Sequence, residues 1–133
     1  MQFKKEEDKE LFFALHPALI WIFSDLYFYA HEKHNIELVV TSTVSSPYED
    51  KLLKRTSTSH LNRIALDIRA NNLEAKITND LVDYINKKDE YKRFHYRSYA
   101  GASRLAYYHG RGGNAHIHLA LHKRYSLEPL FKQ

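Results

Sequence analysis

Thr58-Ser59-His60-Leu61-Asn62-Arg63-Ile64-Ala65-Leu66-Asp67-Ile68 and, further along the chain, Asn114-Ala115-His116-Ile117-His118-Leu119 are the stretches that decide the reading. Ile64 to Ile68 is apolar apart from Asp67 and predicts a buried strand. Ala115 to Lys123 alternates and predicts a final strand. Residues two apart in a strand share a face, so His116 and His118 project together while Ile117 and Leu119 turn into a core. Asp67 is then a carboxylate inside an apolar strand, which is costly unless a cation or hydrogen bonds compensate it. A metal ion held by imidazoles supplies such compensation. Two His and one carboxylate also leave a fourth position open for water, as catalytic zinc sites do. Spacing alone leaves the plainer alternatives open: His-x-His on a strand is more often surface or core histidine, and a strand Asp commonly pairs with backbone or Arg.

Working outward, apolar residues at Leu15, Leu19, Ile22, Phe23, Leu26 and Tyr29 recur at helical spacing and predict a helix over about 10–33, with Pro17 marking a first turn or a break. Ile36 to Ser42 is β-branched and apolar, a strand. Residues 43–59 form a long loop with room for a helical turn, the kind of loop that often carries function. Asn72 is a candidate cap for a helix from Leu73 to about Lys88 that carries Ile77, Leu81, Val82, Tyr84 and Ile85 inward. Leu105 to His109 predicts a strand and Gly110 to Asn114 a turn, while residues 89–104 match no regular pattern. The expected architecture is one α+β domain over residues 1–133, with helices packed on a small, mainly antiparallel sheet.

The 133 residues are 44% hydrophobic with four Gly and three Pro, a globular composition and not a disordered one. Cys is absent. That excludes disulfides and thiolate-bound zinc, so any metal must use His, Asp or Glu. The net charge of +4 favours anionic partners in general, but the basic residues are scattered and select none. Met1 to Glu10 carries mixed charge and does not read as a secretory signal. Leu11 to Ala30 is apolar enough to raise a membrane span, but Asp25 within it would cost about 3 kcal/mol in a bilayer, which favours a core helix.

Thr58-x-His60-x-x-Arg63-x-Ala65-x-Asp67 resembles the SxHxxGxAxD motif of the zinc D-Ala-D-Ala metallopeptidases. That superfamily joins D,D-carboxypeptidases, phage endolysins, lysostaphin-type enzymes and the hedgehog signalling domain. His116-x-His118 resembles its closing HxH motif. The order of elements is similar over about residues 15–122, though the specific motifs cover few positions. The resemblance implies one Zn2+ ion on His60, Asp67 and His118. It places His116 where other branches carry a catalytic Glu, as the base that takes a proton from water and passes it to the leaving amine. The implied activity is hydrolysis of an amide bond in bacterial peptidoglycan by a monomer, with no role for nucleic acid. A phage enzyme held in the host cytoplasm until release to the wall fits the lack of a signal.

Two departures stand out. The family Gly is Arg63 here, and the Arg that relatives carry just after the strand ending in Thr41-Ser42 falls near Ser45. Arg55, Arg63 and Arg111 are the candidates to stabilise the oxyanion in its place. Thr58, His109 and Tyr108 are candidate substrate contacts. Ser98 and Ser103 lack a base-and-acid set for serine hydrolysis. The aromatic and basic run around His95 is compatible with stacked nucleic-acid bases or with a flap over the cleft. Two rival functions remain. One is a zinc-binding module without activity. The other is a DNA-nicking nuclease with a His-hydrophobic-His metal site, for which only Tyr125 follows His118 as a nucleophile.

Overall fold

The computed structural model describes residues 1–98, 101–110 and 112–132. The chain runs β1 (Gln2–Phe3), α1 (Glu6–Leu11), α2 (Pro17–His34), β2 (Val39–Ser42), α3 (Pro47–Leu52), β3 (Ala65–Arg69), α4 (Ala75–Lys87), β4 (Tyr96–Arg97), β5 (Ser103–Arg104), β6 (Ala106–His109) and β7 (His116–Ala120). Short 3-10 turns lie at Phe12–Ala14, Asp89–Phe94, Gly112–Asn114 and Lys123–Tyr125. Five strands form one sheet in the order β1-β2-β3-β7-β6, and β4 and β5 make a separate hairpin. All pairings are antiparallel except β1 with β2. The class is α+β with a mostly antiparallel sheet, as expected. Leu66, Ile68, Ile117 and Leu119 of the sheet join Leu19, Ile22, Phe23 and Leu26 of α2 and Leu81 and Ile85 of α4 in one apolar cluster.

The helix expected over about 10–33 is divided at Pro17, one of the two readings that residue allowed. His16 is extended and cannot continue a helix, because Pro17 after it disfavours helical backbone. Pro17 instead opens α2, and His16 Nδ1 accepts the Ala18 amide at 3.0 Å as a cap. Asn35 closes α2 in the left-handed conformation (φ 52°). Asn72 does not cap α4; Glu74 holds that place without a side-chain bond. The segment 89–104 that matched no pattern resolves into a 3-10 turn and the β4–β5 hairpin, both too short to show a period. β1, two residues long, gives no sequence signal either.

Asp25 stays half-buried between α2 and α4 because α4 and the turn after it satisfy it. Its carboxylate accepts hydrogen bonds from Tyr84 Oη, Lys88 Nζ and Tyr91 Oη, each at 2.6 Å. No helix among the described residues is long and apolar enough to cross a membrane.

A second link joins α2 to α4 at Asp80, which meets His34 Nε2 at 2.7 Å, Tyr29 Oη at 2.8 Å and Lys33 Nζ at 3.2 Å. The His34 bond is the main cause that lowers the Asp80 pKa to about 2. A depressed carboxylate stabilises the fold above its unfolded pKa of about 3.9 and loses that contribution as pH falls through the folded value. Wild type is therefore expected to exceed Asp80→Asn in stability above about pH 4, with the gap closing as pH approaches 2. Urea melts of both proteins across that range check this. A gap independent of pH would exclude the ion pair as its source.

Arg63 occupies the left-handed region (φ 64°) at the turn into β3. This is the position where the motif of the resembling family has Gly, and the local backbone needs what Gly supplies most easily. Two bonds offset the strain: Arg63 Nε donates to the Glu128 carbonyl at 2.9 Å and Nη1 to the Ala14 carbonyl at 3.2 Å. Arg63→Ala keeps the strain and loses both bonds, so it should destabilise by about 1–3 kcal/mol. Arg63→Gly relieves the strain and should lose less, by about 1 kcal/mol. Denaturant titration of the pair tests the order, and equal stabilities would refute it.

Candidate metal centre

Strand register builds the site. Asp67 lies opposite His118 and Arg69 opposite His116 across β3 and β7, while Tyr107 and His109 of β6 lie opposite His118 and His116. Cross-strand partners share a face. Asp67, His118 and Tyr107 thus form one row, with Arg69, His116 and His109 in the next, on the face away from Leu66, Ile68, Ile117 and Leu119. On the β2 side the register slips between Val40, opposite Ile68, and Ser42, opposite Asp67. This bulge advances the strand by one residue and brings Ser42 into the row with Asp67.

His60 comes from the turn before β3. That turn is closed by bonds from the Asn62 amide to the Thr58 carbonyl (2.8 Å) and from the Ile64 amide to the Ser59 carbonyl (3.0 Å). It folds His60 inward until it is 3% exposed. His60 Nδ1 lies 2.8 Å from the Thr43 carbonyl. A carbonyl only accepts, so Nδ1 carries the hydrogen and Nε2 presents its lone pair to the site. Nε2 is 3.2 Å from Asp67 Oδ2, and His118 Nδ1 is 2.9 Å from Asp67 Oδ1. One donor atom from each of His60, Asp67 and His118 lies within 4.8 Å of the others, so the group can hold a metal ion. Tetrahedral zinc with bonds of about 2.0–2.2 Å places its donors about 3.3 Å apart. The donors stand close enough to reach that edge with small side-chain shifts, and nitrogen and oxygen donors suit zinc.

Electrostatics favour the same use. Burial raises the Asp67 carboxyl, but the interaction with the histidines beside it, His118 first, outweighs burial and holds the group well below the ordinary carboxylate range. Burial lowers His118, and the opposing pull of Asp67 does not restore it. A carboxylate beside a neutral His118 imidazole is the protonation state that ligation requires.

Of the other expected residues, Arg55 reaches the centre. Its Nη2 donates to Ser42 Oγ at 3.0 Å and lies 3.9 Å from Asp67 Oδ2, while Nη1 pairs with Asp50 at 3.1 Å. His116 stands beside the three donors, with Nε2 3.8 Å from Asp67 Oδ1. Its Nδ1 is held by the Asn114 carbonyl at 2.9 Å. His109 packs on His116 with ring centroids 5.2 Å apart. Tyr108 does not join them. It is in register with Ile117, so its side chain leaves the sheet on the other face, and Tyr107 takes the expected place. The sequence does not show which of two adjacent tyrosines faces the site until the pairing with β7 is known. Thr58 is turned back on its own loop, accepting from Asn62 Nδ2 at 3.0 Å. Arg63 is committed to Ala14 and Glu128, and Arg111 lies outside the described residues.

Several neighbours carried no sequence signal. Ser42 orients Arg55 and Thr43 orients His60. Tyr107 packs on His118 with ring centroids 5.2 Å apart, and the Arg104 guanidinium lies 4.0 Å over the Tyr107 ring. Ser103, read as lacking a base, meets His95 Nδ1 at 2.9 Å. No carboxylate among the described residues completes that pair into a triad. No family model matches the chain, and no curated protein or solved structure matches it either.

Proposed function

We propose that the chain is a zinc-dependent peptidase that hydrolyses an amide bond in bacterial cell-wall peptide, on a hedgehog/D-Ala-D-Ala-peptidase-like fold. The observation that carries this is the convergence of His60, Asp67 and His118 from three separate segments, with His116 and Arg55 beside Asp67. Positive φ at Arg63, where the family motif has Gly, adds support. So does the match in order of the elements.

A zinc ion held by His60, Asp67 and His118 would supply a Lewis acid for the scissile carbonyl and would lower the pKa of a water toward about 7. The chain's own groups do the rest. The Asn114 carbonyl fixes the His116 ring so that Nε2 faces the centre and can take a proton from the attacking water, then return it to the leaving nitrogen. Arg55, anchored by Ser42 and Asp50, places a positive charge beside Asp67, where it meets the negative charge that develops on the carbonyl oxygen. In this reading Arg55 replaces the arginine that the resemblance locates near Ser45. The protein acts as a monomer on peptide strands of the wall, as a phage lysin released from the host does.

Tyr125, the nucleophile that a DNA-nicking reading needs, packs instead against His16 and Phe94 and donates to the Arg93 carbonyl. That favours peptide over DNA as substrate. The deciding experiment combines zinc analysis with digestion of purified peptidoglycan and mass analysis of the fragments. New amino and carboxyl ends at one stem-peptide bond are expected. One zinc per chain without cleavage would instead identify a binding module, and nicking of single-stranded DNA would revive the nuclease.

A further inference from the structure

A buried carboxylate far from β3 and β7 in sequence holds the loop that orients His60. β1 runs parallel to β2, so the chain leaves β1 toward the same end at which β2 finishes. The first turn of α1 therefore starts beside Thr43, the residue after β2. Asp8, in that turn, is 2% exposed. Its Oδ1 accepts both the Thr43 amide at 3.1 Å and the Thr43 hydroxyl at 2.5 Å. Thr43, fully buried, receives the Nδ1 hydrogen of His60 on its carbonyl at 2.8 Å. Two residues on, the Ser45 amide donates to the His60 carbonyl at 3.3 Å. The loop thus grips His60 by ring and by backbone, and Asp8 grips the loop.

We infer that Asp8 is a positioning residue for the metal centre, acting through Thr43 to hold the His60 imidazole as the Nδ1–H form with Nε2 toward Asp67. The inference rests on the metal reading above. A carboxylate is expensive to bury, and this one has little other reason to be where it is. Its Oδ2 has no hydrogen-bond partner among the described residues and meets only the charge of Lys5 Nζ, at 3.7 Å. Two bonds to a single residue restrict that residue's position and rotation more than one would. Outer partners of a ligating histidine typically contribute 10–100-fold in metal affinity by fixing ring orientation and tautomer. Asp8 stands one step beyond such a partner.

Two measurements on Asp8→Ala, Asp8→Asn and Thr43→Val test this. The first is zinc affinity by competition with a chromophoric chelator. The second is the His60 tautomer in the metal-free protein, from long-range 1H–15N spectra. Asp8→Ala is expected to bind zinc about 10-fold more weakly and to show His60 as a mixture of tautomers. Asp8→Asn keeps an accepting oxygen for Thr43 and is expected to restore both properties. Thr43→Val, which loses only the hydroxyl bond, is expected to fall between, and it carries the test if Asp8→Ala does not fold. A purely structural Asp8 would lower the melting temperature and leave the folded protein with one His60 tautomer and unchanged affinity; that result overturns the inference. So does an Asp8→Asn protein as impaired as Asp8→Ala. Should wild type take up no zinc, the metal reading fails, while the tautomer measurement still decides the role of Asp8.

Discussion

His118→Ala is expected to take up no stoichiometric zinc and to release no fragments from peptidoglycan. His118 is one of three residues that offer a donor atom, and its Nδ1 sits 2.9 Å from Asp67 Oδ1. Losing an outer partner of a ligand costs 10–100-fold in affinity, so losing a ligand from a three-donor set should exceed about 100-fold. The change also damages the metal-free fold. Asp67, 8% exposed, loses a hydrogen-bond donor, and leaving a buried polar group short of a partner costs about 1–3 kcal/mol. Zinc content by mass spectrometry and melting of the metal-free proteins report the two effects separately. One zinc per chain in His118→Ala would remove this residue from the ligand set.

His116→Ala should behave in the opposite way with respect to metal. Its Nε2 lies 3.8 Å from Asp67 Oδ1, beside the group of donors and not within it. Zinc content should therefore stay near that of wild type. A positioned general base contributes about 10²–10⁴-fold, so kcat on a wall peptide should fall by that factor. The pairing of outcomes matters more than either alone. Loss of activity with retained zinc assigns a proton-transfer role, whereas loss of both would make His116 a ligand. Full activity would end its role as base and turn attention to His109, whose ring packs against it on that row.

How much of this was legible in the chain differs from element to element. β3 and β7 were, because an apolar strand interrupted by one Asp and a strand alternating His with Ile and Leu each carry a period. α2 and α4 were legible as helices, and Pro17 as a first turn or a break, because its ring forbids a helix interior; the uncapped start of α4 was not, since caps depend on one or two side-chain bonds. The hairpin of β4 and β5 and the two-residue β1 are too short for any period to form. His60, Asp67 and His118 could be singled out because a costly buried carboxylate and an HxH pair demand an explanation. Arg55 could be named only among several arginines, and Tyr108 was preferred to Tyr107 for want of the strand register.

The sequence by itself determined the α+β class, the chemistry of the donor set and the face on which it stands, because side-chain alternation and the cost of burying charge are local properties. Only the tertiary structure decided which residues serve that set. A bulge in β2 puts Ser42 beside Asp67 and so selects Arg55; the pairing of β6 with β7 selects Tyr107. The parallel start of β1 brings Asp8 to Thr43, and through it to His60. Each of these depends on where one segment lies against another distant in the chain, and no spacing within a single segment records that.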